Sequence, residues 1–344
     1  PYFQFGVRLS HFNRCDEAVY FFKAFSTVFP AREVVNNWGL CELQRARQEL
    51  GKAAYTYWLP SMLDVTSQID GFSLPSVPKG EEMSSLARRL LKKAKASFNK
   101  ALVMEPSYLP ANVNLAITAF YLEEHLEAQA AIEKAYQLAP NDLEIQGLHI
   151  LIKYQHKQPQ KAIQALEKLA QQPNVPLSVF YNRARLLEQH GRSGADDIWQ
   201  QLARQAAKLP EPIRHLVCEK TACAVQRKQS PKATWGLPVK LGVRTRRNKT
   251  LARWQKSQKV RLYDIYEQIY RQNDTAEVLA LKGRVAMVVL KKFERLTQDD
   301  LSAYCGQPLR ERTVVSGTIL SCRDYWAALI VDEKVKEVWV VKGY

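Results

Sequence analysis

A mainly helical protein is predicted: a right-handed superhelix of paired antiparallel helices, followed by a smaller α+β domain of two tandem α-β-β-β units. Three observations predict it. Apolar residues recur at helical spacing in pairs of segments joined by short polar breaks. Within those pairs, small residues and a terminating proline recur at the same mutual spacing, as in Ala128, Ile132, Ala135 and Pro140. Beyond Gln226 the chain of 344 residues falls into register with itself on a shift of 50, Leu251 onto Leu301 and Val288 onto Val338.

Residues 1–30 open the helical part, with Gly6 where a first helix needs a small residue. Ala18, Phe22, Phe25 and Pro30 follow at the spacing just given, with one Phe in place of Ala. The second pair runs from Val34–Leu50, carrying Trp38–Gly39, to Leu86–Val103, carrying Ala94, Phe98, Ala101 and then Pro106. An insertion at 51–85 separates its two helices. It contains Tyr55, Tyr57, Trp58, Phe72 and the run SLPSVPKG, and is either packed on its own scaffold or a binding element. The clearest pair spans Leu109–Pro140, where Pro140 stops the second helix because proline cannot donate the interior hydrogen bond. The fourth pair (141–173) keeps Ala162, Leu166 and Leu169, while Gly147 and His149 weaken its first helix. The fifth (176–210) carries Ala184 and Gly191, and a helix at 212–226 caps the stack.

These pairs resemble tetratricopeptide (TPR) units, whose period is about 34 residues. The expected division is a solenoid over 1–228, with about five hairpins, and an α+β domain over 229–344, with copies near 237–290 and 291–344.

Each copy reads as a helix (about Lys249–Lys256, and Gln298–Tyr304) followed by three strands. The last two strands form hairpins turning at Lys282–Gly283 and Asp332–Glu333. Thr297 with Asp300 resembles an N-terminal cap. The unit resembles the small envelope lipoprotein family typified by BamE/SmpA. VKLGVRT before the first helix is similar to that family's Gly-Thr entry, and Cys305-Gly306-Gln307-Pro308 to its Gly-x-Pro exit; neither copy has both halves. The reading is of a bacterial protein of periplasm or cytoplasm.

The chain begins at Pro1 inside a helical pattern without an initiator Met, as expected of a piece of a longer protein. No apolar run approaches the roughly 20 residues of a membrane span. The six cysteines form no CxxC pair and no Cys/His cluster, so zinc is not expected, and buried thiols are favoured over disulfides. No phosphate-binding loop, nucleophile elbow or metalloprotease motif occurs, and the six histidines are dispersed. No catalytic residue, cofactor or metal is therefore expected, and an enzyme is not predicted.

The TPR resemblance implies that first helices line a groove for a polypeptide. The position two before the small residue reads Gln4, Asn37, Asn114, Leu148 and Asn182, with Gln44, Tyr121 and Arg185 further along the same face. An amide there can bond both the N–H and the C=O of an extended backbone without demanding a sequence. The same asparagines would serve equally as generic solenoid residues. On the groove reading, Asn37→Ala with Asn114→Ala abolishes ligand capture at near wild-type stability.

The net charge of +16 is concentrated between Arg227 and Arg261, where twelve Lys or Arg and no acid occur. Arg244, Arg246, Arg247, Lys249 and Arg253 form the candidate patch for an acidic partner or other anion. The bland reading is a solvated basic face; nucleic acid and an anionic membrane surface are the alternatives. The function expected is a non-catalytic scaffold that captures a protein or peptide in its groove and docks through its α+β domain. Alternatives are the substrate-recruiting region of a larger enzyme, such as a protease, and a nucleic-acid binder.

Overall fold

The computed structural model describes every residue except 1, 13, 64–66, 70–83, 224–250, 252, 257–259, 263–264, 273–275, 282–283, 292–295, 297, 306–308, 315–316, 323–325, 332–333 and 342–344. Helices form in pairs: α1 (Tyr2–His11) with α2 (Cys15–Val28), then α3 (Arg32–Leu50) with α4 (Ser85–Met104). α5 (Leu109–Tyr121) and α6 (His125–Leu138) follow, then α7 (Leu143–Tyr154) and α8 (Pro159–Leu169), α9 (Leu177–Gln189) and α10 (Ala195–Arg204), and the last helix α11 (Glu211–Thr221). Between α3 and α4 lie a 3₁₀ turn (Gly51–Tyr55) and two short strands, β1 (Ser61–Leu63) and β2 (Ser67–Ile69).

Local chemistry sets the helix ends. Asp142 accepts from the Glu144 and Ile145 N–H groups at the start of α7, and Ser84 accepts from Ala87 N–H at the start of α4. Pro stands in the first turn of α5, α8 and α11, where its missing donor costs nothing. The small residues of the repeat are fully buried: Ala94, Ala101, Ala128, Ala135, Ala162 and Ala184. Gly147 does not weaken α7, which runs unbroken. A Cβ there would lie 2.9 Å from Val179 Cγ2 of α9, so its smallness lets successive first helices approach.

Beyond α11 the strands are β3 (Gln255–Lys256), β4 (Val260–Leu262), β5 (Ile265–Gln272), β6 (Ala276–Leu281) and β7 (Arg284–Lys291). Then come α12 (Gln298–Cys305), β8 (Arg310–Val314), β9 (Gly317–Cys322), β10 (Trp326–Val331) and β11 (Lys334–Val341). They make one antiparallel sheet in the order β3-β5-β6-β7-β11-β10-β9-β8, with β4 also on β5.

The duplication is explicit. β6 and β10, and β7 and β11, have bounds 50 apart, and each β-hairpin carries a bulge at the equivalent place, Leu279/Ala280 and Leu329/Ile330. The two copies join through β7 and β11, where Met287 pairs with Val341, Val289 with Trp339 and Lys291 with Glu337. Val289 and Trp339 are themselves equivalent, so a local two-fold axis passes through that pair. The first copy has two strands more than expected, β3 and β4, and the second has one, β8. The first copy's helix ends earlier than expected, since Gln255–Lys256 is strand. The expected turns at 282–283 and 332–333 lie outside the described residues, but the strands flanking them pair at Leu281↔Arg284 and Val331↔Lys334. The expected cap residue Thr297 also lies outside them.

Leu251 and Trp254 pack on Val278, Val285 and Val288, while Leu301 and Cys305 of α12 pack on Trp326, Ala328 and Val338. Alternate residues point to the other face. There Leu279, Met287, Val289, Ala327 and Trp339 are also buried. The N-terminal helices lie against that face: Arg8 of α1 donates to Glu337 and stacks on Trp339, and Arg14 donates to the Ala286 carbonyl.

Two compact units result, one of Pro1–Ala24, Val65–Ser67 and Arg227–Tyr344, the other of Phe25–Asp64 and Gln68–Gln226. This differs from the expected division: the first helices were assigned to the solenoid, yet they group with the sheet. The physical reason is the buried arginine pairing just described, which holds α1 and the segment after it to the strands.

The cysteines correct an expectation. Cys305 is disulfide-bonded to Cys322, tying α12 to β9 inside the second copy's core, and Cys218 to Cys223 at the end of α11. Cys15 and Cys41 are the buried thiols. Packing brings together cysteines that no sequence motif pairs.

A self-occupied groove as the candidate functional site

The candidate groove is the face of the first helices α3, α5 and α9, and its side chains point at the insertion. Residues 54–62, called here the strap, cross this face: the end of the 3₁₀ turn (Ala54–Tyr55), a bend at Thr56–Tyr57, and an open run from Trp58 into β1. Asn182 grips Trp58 at both backbone groups: its Oδ1 accepts from the N–H (2.7 Å) and its Nδ2 donates to the C=O (2.9 Å). Asn114 grips Met62 in the same way, at 2.7 Å and 2.5 Å. Each amide thus holds both groups of one backbone residue, here of the chain itself.

The remaining grips are carbonyl-directed. Tyr121 Oη donates to Ala54 O (2.8 Å), Tyr181 Oη to Tyr55 O (2.7 Å) and Arg185 Nε to Thr56 O (3.0 Å). Arg47 donates to Leu59 O (2.6 Å) and Ser61 Oγ (3.2 Å). Side-chain anchors complete the seat. Trp58 packs edge-on against Tyr181, Tyr57 against Phe120, and the Tyr57 hydroxyl donates to Gln189. Pro60 is buried between the grips on Leu59 and Met62, a position where a missing N–H leaves no groove side chain without its partner.

Of the expected groove residues, Asn114, Tyr121, Asn182 and Arg185 all touch strap backbone. Asn37 is buried and accepts from Asn36, which bonds the Met62 carbonyl and receives a bond from Asn114. Gln44 and Leu148 are buried on the same helical face. Gln4 lies on α1, in the other unit. Sequence reasoning missed Asn36, Arg47, Tyr181 and Gln189. The signal for Gln189 was present: it stands seven residues after Asn182, as Tyr121 does after Asn114 and Gln44 after Asn37.

Burial governs the local electrostatics. It pushes the Tyr57 phenol up to about 12, against the lowering charge of Arg185 and the bond to Gln189. Burial raises Tyr55 and Tyr181 as well. The Tyr181 phenol is thus a neutral donor at neutral pH, as its bond to the Tyr55 carbonyl requires.

Burial and bonding argue against near wild-type stability for Asn37→Ala with Asn114→Ala. Both side chains are fully buried, and removing Asn114 takes the partner from the Met62 N–H and leaves its carbonyl with the longer bond from Asn36. Each buried polar group left unmade costs about 1–3 kcal/mol.

Of the candidate basic patch, Arg244, Arg246, Arg247 and Lys249 lie outside the described residues, and Arg253 is exposed. Trp254 is buried against the sheet rather than offered as a stacking surface. His149 contacts Glu133 at 2.9 Å and stacks on Tyr136, and His156 stacks on His125. Among the described residues no helix is long and apolar enough to cross a membrane.

No protein-family model and no curated protein matches the chain. Among solved structures, a thermophilic TPR protein of Thermus thermophilus aligns with a TM-score of 0.46 and 14% identity, covering 64% of this chain and 97% of its own. YrrB, a TPR protein with an unusual peptide-binding site, aligns with a TM-score of 0.37 and 16% identity, covering 64% and 91%. The helical array is TPR-like in its own right: successive hairpins, small residues at the helix contacts, and first helices that present one polar ladder.

Proposed function

We propose that the chain is a non-catalytic protein-interaction scaffold whose first-helix face is built to hold an extended polypeptide backbone. One observation carries the reading. Asn114 and Asn182, on two separate hairpins, each hold both backbone groups of one residue in the same extended segment. Such grips read chain direction and spacing but not side chains, which suits a scaffold that takes polypeptide. The duplicated sheet is the second module, and in this reading it docks the scaffold elsewhere.

The test is affinity capture with the intact chain from nuclease-treated lysate, compared with an Asn114→Ala/Asn182→Ala variant. Polypeptides retained by the wild type and lost by the variant are expected. Identical capture by both would move the interaction surface off this face. Partners lost on nuclease treatment alone would move it to the basic stretch.

A further inference from the structure

The groove of an interaction scaffold is ordinarily free for its partner, yet here it holds a piece of its own chain. The manner of holding separates that piece from the scaffold. α3 ends on its own cap, the Gly51 N–H bonding the Arg47 and Gln48 carbonyls, and α4 begins on its own Ser84 cap. Neither helix needs the strap to complete its backbone hydrogen bonds. The grips described above on Ala54, Tyr55, Thr56, Trp58, Leu59 and Met62 all come from groove side chains. That is how a receptor holds a bound peptide. Backbone-to-backbone bonds, which dominate in a fold's own interior, lie among the described residues towards the segment's two ends: the Thr56 N–H on the Ala53 carbonyl, and Ser61–Leu63 on β2.

We propose that the strap is a built-in ligand, and that the groove takes in trans an extended segment of the same chemistry: two adjacent aromatics, an aliphatic residue, a proline and a small residue. The proposal rests on the scaffold reading and names what its groove accepts. Each element of the pattern has a seat. The first aromatic carries a hydroxyl to Gln189 and packs on Phe120, and the second packs on Tyr181 while its backbone is held by Asn182. The aliphatic Leu59 is buried and its carbonyl bonded by Arg47. Proline suits the next position because the grips fall on either side of it, and Ser61 is fully buried beneath Arg47. The two amide grips, at Trp58 and Met62, set the register of any replacement. Occupation in cis makes the groove selective. An incoming segment must displace one tethered at high effective concentration, so backbone grips alone do not suffice and the side-chain seats decide.

The experiment uses the full chain with residues 52–63 replaced by a Gly-Ser linker, and a fluorescein-labelled peptide of sequence AAYTYWLPSML read by fluorescence anisotropy. The strap-replaced chain is expected to bind the peptide at least about a hundredfold more tightly than the wild type, whose groove is filled. Asn182→Ala in the strap-replaced chain weakens binding about tenfold or more, as does a peptide with both aromatics changed to Ala. A strap-replaced chain that keeps its helical melting transition but binds no more tightly than the wild type overturns the proposal. Should that chain fail to fold, hydrogen exchange on the wild type decides. The Trp58 and Met62 amides are expected to exchange by local opening, about a hundredfold faster than the amides of α5 and α9. Exchange only with global unfolding overturns the proposal, while partner capture by the intact chain would still leave the scaffold reading standing.

Discussion

At Gly39 the backbone of α3 comes so close to α4 that a Cβ would lie 2.8 Å from both the Phe98 ring and Ser97 Cβ. Phe98 is itself fully buried, so its ring has no room to retreat. Gly39→Ala is expected to destabilise the helical unit by about 1–3 kcal/mol, despite alanine's better helix propensity. Thermal unfolding checks it, and an unchanged or raised midpoint would contradict the packing argument. Tyr57 supplies a second residue-scale expectation. Its folded pKa, about 12, lies above the ordinary tyrosine value of about 10, so the folded state keeps a proton the unfolded state has released. Its contribution is therefore whole below about pH 10 and falls as pH rises towards 12. Tyrosinate absorbance and Trp58 fluorescence, followed together over that range, are expected to change in one step as the strap leaves. Tyr57→Phe removes the titration and the bond to Gln189 but keeps the packing.

The strap is the element whose placement the sequence left open. Asn114 and Asn182 stood out because they recur at one position of a repeat, although the same amides would serve equally as generic solenoid residues. Their partner was not legible. A side-chain amide announces that it can bind backbone, not whose backbone, and a tethered segment looks the same from the donor's side as a foreign one. The aromatic content of 51–85 was noticed for the same reason it matters: Tyr57 and Trp58 need apolar seats, but the seats lie on α5 and α9, far along the chain. Asn114→Ala/Asn182→Ala is expected to free the strap first. Limited proteolysis should cut within 52–63 at least about tenfold faster than in the wild type, while most of the helical signal remains. Uniform loss of helix together with the cut would mean that strap and helices unfold as one.

On the scale of the whole molecule, the assignment of residues 1–24 to the sheet unit was out of reach of periodicity. The pattern Gly6, Ala18, Phe22 does describe a helical hairpin, and that hairpin forms, with a Cβ at Gly6 coming 2.8 Å from Phe22. What the pattern cannot carry is the address of its outer face, which Arg8 settles by bonding Glu337, 329 residues away. The 50-residue register, by contrast, is a property of sequence alone and survived intact into equivalent strands and equivalent bulges. Removing residues 1–24 is expected to expose Leu279, Met287, Val289 and Trp339, and to give a chain that binds a hydrophobic dye strongly and aggregates. A monodisperse truncated chain without dye binding would show that face to be covered in some other way.

The same long separation has a consequence in time. The sheet unit draws its parts from before and after the helical repeats, so it cannot close until β11 has been synthesised. On the ribosome α1 and α2 must wait, with an apolar surface uncovered, while every hairpin behind them is made and folds. At synthesis speeds of about 5–20 residues per second, that wait lasts on the order of tens of seconds. Contacts of such span form late in refolding too, so a fast helical phase followed by a slower sheet phase is expected in stopped-flow circular dichroism. Translation thus opens an interval in which α1 and α2 need a chaperone or risk the wrong partner.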